Sequence, residues 1–348
     1  MEHEARGISS LPITRRRFLF LAGVGATTTL FTLPWQRASG QAKTVRIGAV
    51  TGNFSNPAVK QMVDAMQVEL KKYPNAKFLV QDSANVSEQV AKAETMLGQG
   101  IDVLGLHPWD GKAIMPLITK AHSKGVKVFL LIDDAPGAVD KGLAVSFISA
   151  NEVKGGQLLG EWLASTVPNG GKVAIIEGTP GNYAAIYRSQ GFKEGIKKNA
   201  KIKVVAEGTG NWQRDQGLRV ATDMITANPD LTAIFAHNDE MAFGALQALK
   251  AANKTGKVIL IGYNGTCIGI QATRKGEFQA DGILPIPQIG SSFIASAMKV
   301  GTGGSVPKRI EPPILALSTA EIKAIESGSK QVDPSLKERI DNAAAGKC

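Results

Sequence analysis

Short apolar runs alternate with longer amphipathic segments from residue 45 onward, and this alternation constrains the fold more than any other feature of the chain. The first runs are VRIGAV (45–50), KFLVQD (77–82), IDVLGL (101–106) and VKVFLLI (126–132). Continuous apolar runs of this size are typical of strands that are buried on both faces of a parallel sheet. The segments between them predict the connecting helices, at 57–73, 86–97 and 112–124.

The same pattern begins again in the second half of the chain. Its runs are GKVAIIEG (171–178), IKVVAEG (202–208), LTAIFAHND (231–239) and KVILIGYNG (257–265). Helices are predicted between them at 183–199, 213–228 and 239–253. The fold class predicted is therefore α/β, with two doubly wound parallel-sheet domains.

Three segments interrupt the alternation and predict chain crossings between the two domains. They are AVSFISAN (144–151), GILPIPQIG (282–290) and RIEPPILAL (309–317). Their prolines favour extended crossings over strands or helices. Several short crossings between two domains predict a cleft with a hinge.

These crossings set the expected domain boundaries. We assign residues 43–149 and 285–312 to an N-terminal α/β domain, and residues 150–284 and 313–320 to a C-terminal one. Residues 321–348 are polar, with room for a short helix, and are predicted to form a C-terminal extension.

The first 42 residues have the three-part build of an export signal. Arg15, Arg16 and Arg17 precede an apolar stretch over 18–33, and small residues follow up to Ala42. The stretch is short for a membrane span, and the paired arginines are similar to a twin-arginine signal. We expect cleavage near Ala42 and a periplasmic mature protein; the alternative is that the segment is retained as an anchor.

Charge argues against a nucleic-acid-binding protein. The whole chain carries a formal charge of +10, and residues 43–348 carry +7 because five basic and two acidic residues precede them. The basic residues are dispersed, and no basic stripe interleaved with aromatic residues occurs. We therefore expect no nucleic-acid partner.

Metal and cofactor sites are not predicted. The two cysteines, Cys267 and Cys348, cannot supply a thiolate zinc site, and whether they pair is left open. The histidines after residue 42 are His107, His122 and His237, and none has a partner at the i, i+4 spacing. His237 is better explained as a hydrogen-bonded residue at a strand end.

No catalytic residue is predicted either. The chain lacks a Gly-x-Ser-x-Gly elbow and a phosphate loop ending in Gly-Lys-Ser/Thr. The pairs Asp133–Asp134 and Asp239–Glu240 are adjacent in sequence, and adjacent carboxylates seldom share a catalytic task. The alternative from another class is an enzyme that uses Asp133 or Asp239 as its base.

Polar and aromatic residues follow almost every predicted strand. The strand ends read TGNFSNP, HPWD, DDAP, EGTPGNY, EGTGNW, HNDE and YNGT. In doubly wound sheets the ligand site lies beyond these carboxyl ends. Amides, carboxylates and indoles suit a polyhydroxylated ligand, which needs many hydrogen-bond partners and flat apolar faces. The plainer alternative is that Asn238 or Asp239 serves only as a helix N-cap.

Several of these stretches together resemble a known family. They are NP (56–57), LLIDD (130–134), YRSQGF (187–192), FAHNDEMAFGAL (235–246), IGYNGT (261–266) and PQIG (287–290). Over roughly residues 44–317 the chain resembles the periplasmic sugar-binding proteins, in pattern the ribose-binding group. The resemblance implies a type I periplasmic binding fold and a monomeric, non-enzymatic receptor. Such a receptor delivers a sugar or polyol to the membrane permease subunits of an ABC importer.

Sugar-responsive repressors share this core, so a sugar-sensing regulator is an alternative, as is a chemoreceptor partner. Those repressors carry an N-terminal helix-turn-helix, where this chain has an export signal. The regulator is therefore the less favoured interpretation.

The resemblance also implies a set of cleft residues, to which the departures from the family add three candidates. The implied residues are Asn56, Asp133, Arg188, Trp212, Asn238 and Asn264. Ala58 and Val59 replace two aromatics, so we add Phe54 and Trp109 as candidates for that wall; Asp134, which stands where ribose binders have Arg, is the third.

These departures from the family pattern indicate which class of ligand to expect. Asp134 disfavours acidic sugars and phosphates, Asn264 replaces a typical Asp, and Leu284 replaces a glutamine. We expect a neutral sugar or polyol other than ribose, and next an amine-bearing ligand. The plainer alternative to a ligand contact is a surface salt bridge for Arg188 and a core position for Trp212.

Overall fold

The structure is a computed structural model that describes residues 43–348. The predicted export signal and its cleavage point at Ala42 lie outside the described residues. No helix between residues 43 and 348 is both long and apolar enough to cross a bilayer.

The helices and strands alternate along the chain as the apolar pattern predicts. The first half contains β1 (Val45–Val50), α1 (Pro57–Leu70), β2 (Ala76–Gln81), α2 (Val86–Gly98), β3 (Val103–Leu106), α3 (Met115–Ser123), β4 (Lys127–Leu131), β5 (Ser146–Ile148) and α4 (Glu152–Thr166). The second half contains β6 (Gly171–Glu177), α5 (Tyr183–Ile196), β7 (Ile202–Thr209), α6 (Arg214–Ala227), β8 (Leu231–Ala236), α7 (Asp239–Ala251), β9 (Ile259–Tyr263), α8 (Cys267–Lys275) and β10 (Ala280–Ile283). The chain ends with α9 (Ile286–Gly301), β11 (Arg309–Ile310), β12 (Leu315–Ser318), α10 (Thr319–Glu326) and α11 (Pro334–Ala344).

The strands form two six-stranded sheets, one in each lobe. The first lobe has the strand order β11-β5-β4-β3-β1-β2 and the second has β12-β10-β9-β8-β6-β7. All neighbours are parallel except β12, which runs antiparallel to β10. The predicted class, two doubly wound α/β sheets, is confirmed, and the order within each sheet reverses beside its first strand.

The predicted crossings are shorter than expected, because strands and a helix occupy most of their length. In 144–151, β5 joins the first sheet, and the buried hydroxyl of Ser149 donates to the carbonyl of Ile132 at 2.8 Å. In 282–290, β10 ends at Ile283 and α9 begins at Ile286. Pro287 is accommodated in the first turn of α9, where a missing N–H costs no helical bond.

Three short segments therefore connect the lobes: 149–151, 284–285 and 311–314. Pro312 and Pro313 lie in the last of them, between β11 of the first sheet and β12 of the second.

Helices α4 and α5 pack backbone to backbone on one face of the second sheet. A Cβ added at Gly156 would lie 2.3 Å from the carbonyl oxygen of Arg188, and one at Gly191 would lie 2.0 Å from that of Val153. Only glycine permits this approach, which brings Glu152 at the start of α4 beside Arg188 on α5.

The C-terminal segment is a packed part of the second lobe. It contains two helices, α10 and α11, where the sequence analysis predicted one short helix. Both pack on α8 and bury an apolar cluster that includes Ile322, Leu336 and Ile340. A disulfide joins Cys267, the first residue of α8, to the last residue, Cys348.

Candidate functional site

A cavity of about 370 Å³ lies where the carboxyl ends of the two sheets face each other. The first lobe lines it with residues that follow β1, β3 and β4. The second lobe lines it with residues that follow β6, β7, β8 and β9. The polar and aromatic lining includes Asn56, His107, Trp109, Asp133, Asn182, Arg188, Asn211, Trp212, Arg214, Asn238, Glu240 and Asn264.

Seven of the nine candidate residues line this cavity, and two do not. The seven are Asn56, Trp109, Asp133, Arg188, Trp212, Asn238 and Asn264. Asp134 lies outside the lining because its carboxylate accepts from Arg309 of β11 at 3.2 Å. Burial raises the pKa of Asp134, although the charge of Arg309 opposes the shift. Phe54 also lies outside the lining, and its backbone N–H approaches the carboxylate of Asp82 at 3.5 Å.

Arg188 is part of a buried ion pair, which corrects the alternative of a surface salt bridge. The residue is 1% exposed, and its Nε and Nη2 donate to the two carboxylate oxygens of Glu152 at 2.9 and 3.0 Å. Tyr263 donates from its hydroxyl to the same carboxylate at 2.6 Å, and its ring centroid lies 3.9 Å from the guanidinium carbon. Burial acts to lower the pKa of Arg188, but Glu152 outweighs it and the pKa is raised.

Most donors of Arg188 are therefore already used by the protein. Its Nη1 donates to the carbonyl of His237 and approaches Oδ1 of Asn264 at 3.5 Å. Since a guanidinium has five N–H donors, one Nη2 hydrogen is left for a ligand. Glu152, which sequence reasoning missed, has a weak signal: a carboxylate in the first turn of a glycine-rich amphipathic segment.

Three asparagines in the lining are helix N-caps, as the plainer alternative predicted for Asn238. Asn56 caps α1, Asn182 caps α5 and Asn238 caps α7, each accepting a backbone N–H through Oδ1. The other side of the Asn238 amide donates to the carbonyl of Trp212 at 3.0 Å. Three helix N-termini thus face the cavity, and their partial positive charge suits ligand oxygens.

The backbone is strained where it borders the cavity. Of the five non-glycine residues with positive φ in residues 43–348, four line the cavity: Ile132 (62°), Asn211 (47°), Trp212 (66°) and Asn264 (114°). Strained residues persist where the surrounding structure holds them, and they concentrate at functional sites. This strain indicates that the functional site lies at the ends of β4, β7 and β9.

Asp133 connects the two lobes across the cavity. Its Oδ2 lies 2.9 Å from Nε2 of His107, and its Oδ1 accepts the backbone N–H of Ala184 at 2.8 Å. Asn182 makes a second hydrogen bond across the cleft, from Nδ2 to the carbonyl of Pro108 at 3.4 Å. His107 is a cavity residue that the sequence analysis did not predict, and its place directly after a buried strand was the available signal.

The two indoles occupy opposite walls. Trp109 of the first lobe donates from Nε1 to the hydroxyl of Ser83 at 3.0 Å. Trp212 of the second lobe packs directly against Gly178, where a Cβ would come 1.9 Å from its ring. Both side chains are half-buried, so each offers an apolar face to the cavity.

A second cluster behind the wall has the composition of a hydrolytic triad but not its geometry. His237 accepts at Nδ1 from the N–H of Gly178 at 3.4 Å and faces the hydroxyl of Ser189 with Nε2 at 3.2 Å. Ser189 in turn donates to Glu177. Because Nδ1 of the neutral His237 ring accepts, its proton lies on Nε2, and this nitrogen cannot take the proton of Ser189. Burial and then the charge of Arg188 lower the pKa of His237 well below its usual value, which keeps the ring neutral. Residues 43–348 contain no group of three metal-ligating side chains.

Comparisons with known proteins agree on one family. A family model described as a periplasmic binding protein domain matches residues 47–305. The ribose import binding protein of Escherichia coli (strain K12) is 32% identical over 75% of this chain and 86% of its own length.

Two solved structures have the same fold. An ABC transporter solute-binding protein from Bacillus halodurans with bound myo-inositol superimposes with a TM-score of 0.77 at 25% identity, over 83% of this chain and 99% of the other. An ABC transporter periplasmic solute-binding protein from Actinobacillus succinogenes with bound D-allose superimposes with a TM-score of 0.74 at 26% identity. The match covers 80% of this chain and 98% of the other.

Proposed function

The chain belongs to the periplasmic binding protein domain family, and from that membership we propose that it is the solute receptor of an ABC importer. It captures a neutral monosaccharide or polyol between its lobes and delivers it to the membrane permease. Its relatives include a ribose import binding protein, and this chain is proposed to bind its ligand without converting it.

The observation that carries this proposal is the charge balance of the cavity. Arg188 is paired with Glu152, and Arg214 is paired with Glu240 at 3.0 and 3.1 Å. The Asp133 carboxylate is held by His107 and by a backbone N–H. A ligand therefore meets two arginines whose charges are already paired and a carboxylate that is already hydrogen-bonded, together with amides and indoles. This lining favours hydroxyl groups over phosphates or carboxylates.

Isothermal titration with D-ribose, D-allose and myo-inositol, alongside D-ribose 5-phosphate, tests the ligand class. We expect at least one neutral compound to bind and the phosphate not to bind. Recovery of the bound compound by chromatography should return it unchanged. Tight binding of the phosphate alone, or conversion of a sugar, would contradict the proposal.

Export through the twin-arginine route is part of the same proposal. The disulfide between Cys267 and Cys348 suits an oxidising compartment such as the periplasm. Replacing Arg15 and Arg16 by Lys should leave the precursor inside the cell. Equal periplasmic yield from this variant would indicate the general secretory route instead.

Closure about the three crossing segments is also proposed, because each lobe supplies one wall of the cavity. A ligand that contacts both walls shifts the equilibrium toward the closed arrangement by its differential affinity for that arrangement. Small-angle scattering should show a smaller radius of gyration with saturating ligand. Identical curves would indicate a rigid cleft.

A further inference from the structure

Arg339 of α11 reaches from the C-terminal segment to the back of the ligand-facing wall. The residue is 8% exposed, and its guanidinium donates to three backbone carbonyls. Its Nη1 donates to Leu284 at 3.2 Å, and its Nη2 donates to Asn264 at 3.4 Å and to Gly265. A single side chain thus holds the loop after β9 and one of the three crossings between the lobes.

The same loop is held from its other side by two buried carboxyl groups. Asp281 accepts the N–H of Gly265 at 3.3 Å. Asp239 accepts the N–H of Thr266 at 2.8 Å and its hydroxyl at 2.5 Å. Between these contacts, Asn264 keeps a φ of 114° and directs its amide oxygen toward Arg188. The strained conformation of this cavity residue therefore depends on contacts outside the cavity.

The helix that carries Arg339 is itself fixed at two points. Leu336 and Ile340 bury their side chains in the apolar cluster under α8. The disulfide from Cys348 ends at Cys267, the residue directly after Thr266. The end of the chain is therefore anchored next to the loop that Arg339 holds.

We propose that Arg339 is a positioning residue for the ligand site, and that α11 with its disulfide clamps Asn264 in the geometry that binds ligand. This inference rests on the proposed function. An arginine suits the role because its planar fork can reach carbonyls from two separate segments at once, which a lysine ammonium cannot do with the same fixed geometry. The C-terminal segment is then part of the receptor's recognition machinery.

The test compares Arg339→Met with Lys337→Met in the full chain. Lys337 is an exposed cation on the same helix that pairs with Asp341, so its variant controls for lost charge and for altered helix stability. Amide hydrogen exchange without ligand reports directly on the loop, because the N–H groups of Asn264, Gly265 and Thr266 are all hydrogen-bonded. Titration of D-ribose, D-allose and myo-inositol reports on the site.

In Arg339→Met we expect faster exchange confined to residues 264–266, with Lys337→Met unchanged. For any of the three compounds that binds the wild type, the dissociation constant should rise roughly twofold to thirtyfold. A lower melting temperature with unchanged loop exchange and unchanged affinity would mean a merely structural role and would overturn the proposal.

Two further variants keep the test decisive if Arg339→Met does not fold. Arg339→Lys retains the charge but should still speed exchange of the loop, and Cys348→Ser should do so to a smaller extent by releasing the chain end. Wild-type exchange rates in both would overturn the proposal. If none of the three compounds binds the wild type, the ligand assignment fails, while the exchange data still decide whether Arg339 holds the loop.

Discussion

The two walls of the cavity are built differently. The wall of the second lobe contains Arg188, Trp212 and Asn264, and it is cross-braced by the buried Glu152. The wall of the first lobe presents Trp109, which donates to the hydroxyl of Ser83, and Asp133, which is hydrogen-bonded to His107. Four positive-φ residues line the cavity, and three of them belong to the second lobe.

This difference indicates a separate role in ligand binding for each of the two lobes. A wall whose donors and acceptors are fixed in advance loses little entropy when a ligand arrives. The second lobe is therefore suited to hold the ligand first. Asp133, whose carboxylate accepts a backbone N–H from the other lobe, is suited to close the cleft afterwards.

The largest expected effect comes from removing the brace of the second wall. Glu152→Ala leaves the guanidinium of Arg188 buried without its partner, which should lower the free energy of unfolding by about 3–5 kcal/mol. Urea denaturation measures this. The matched control is Glu161→Ala on the same helix, whose partner Lys198 is exposed and whose loss should cost under about 1 kcal/mol. Equal losses would show that the two ion pairs contribute alike.

The two indoles allow a direct comparison of the walls. Trp212→Ala should weaken binding of the neutral ligand by about 2 kcal/mol, or roughly thirtyfold, because stacking area on the preformed wall is lost. We expect a smaller effect from Trp109→Ala. Trp162→Ala on α4 controls for loss of a half-buried indole away from the cavity. A larger effect at Trp109 would reverse the proposed order of the walls.

Asp133→Asn tests the contact that joins the lobes. The amide keeps one acceptor and loses one, so closure should weaken by about 1 kcal/mol and the dissociation constant should rise about fivefold. Scattering of the unliganded variant should shift toward a more open form, while its melting temperature changes little. An unchanged scattering curve together with unchanged affinity would show that this bond does not contribute to closure.

The smallest expected effect concerns pH and the carboxyl pair behind the second wall. Burial, with the neighbouring Glu240 charge, raises the pKa of Asp239 to about 6, and burial and then the charge of Asp239 raise that of Asp281 well above its usual value. The folded state thus holds these protons more tightly than the unfolded state, whose Asp pKa is about 3.9. The stability contributed by Asp239 is complete below about pH 4 and is lost as pH rises through about 6.

Asp281→Asn removes one of the two titrating carboxyl groups and should flatten this dependence. Melting temperatures between pH 4 and 8 should fall less for the variant than for the wild type. The exposed Asp223→Asn serves as the control and should follow the wild type. Parallel curves for Asp281→Asn and the wild type would contradict the assignment of the pH dependence to this pair.

Sequence reasoning found the elements well because their signals are local. Strands such as β1 and β8 are apolar runs buried on both faces, and Asn238 precedes an amphipathic run as an N-cap should. It erred where the local signal conflicts with the tertiary setting. Pro287 suggested a crossing, but a proline in a first helical turn loses no bond.

For the site, position along the chain was predictable and orientation was not. Asp133 and Asp134 are adjacent at the end of β4, yet one lines the cavity and the other pairs with Arg309 of β11, 175 residues away in sequence. The two neighbouring side chains point in different directions because of the backbone geometry. Which of them reaches Arg309 depends on the order of the strands in the sheet.

The sequence by itself determined that two parallel sheets present polar strand ends to one cleft, because buried strands, caps and turns are encoded within a few residues of one another. Only the tertiary structure decided which of those polar groups remain available to a ligand. Arg188 and Glu152 are 36 residues apart, and Arg339 lies 74 residues from Gly265. The reason is physical: a buried charge or carbonyl must find a partner wherever packing brings one, and packing between distant elements is not written in local sequence.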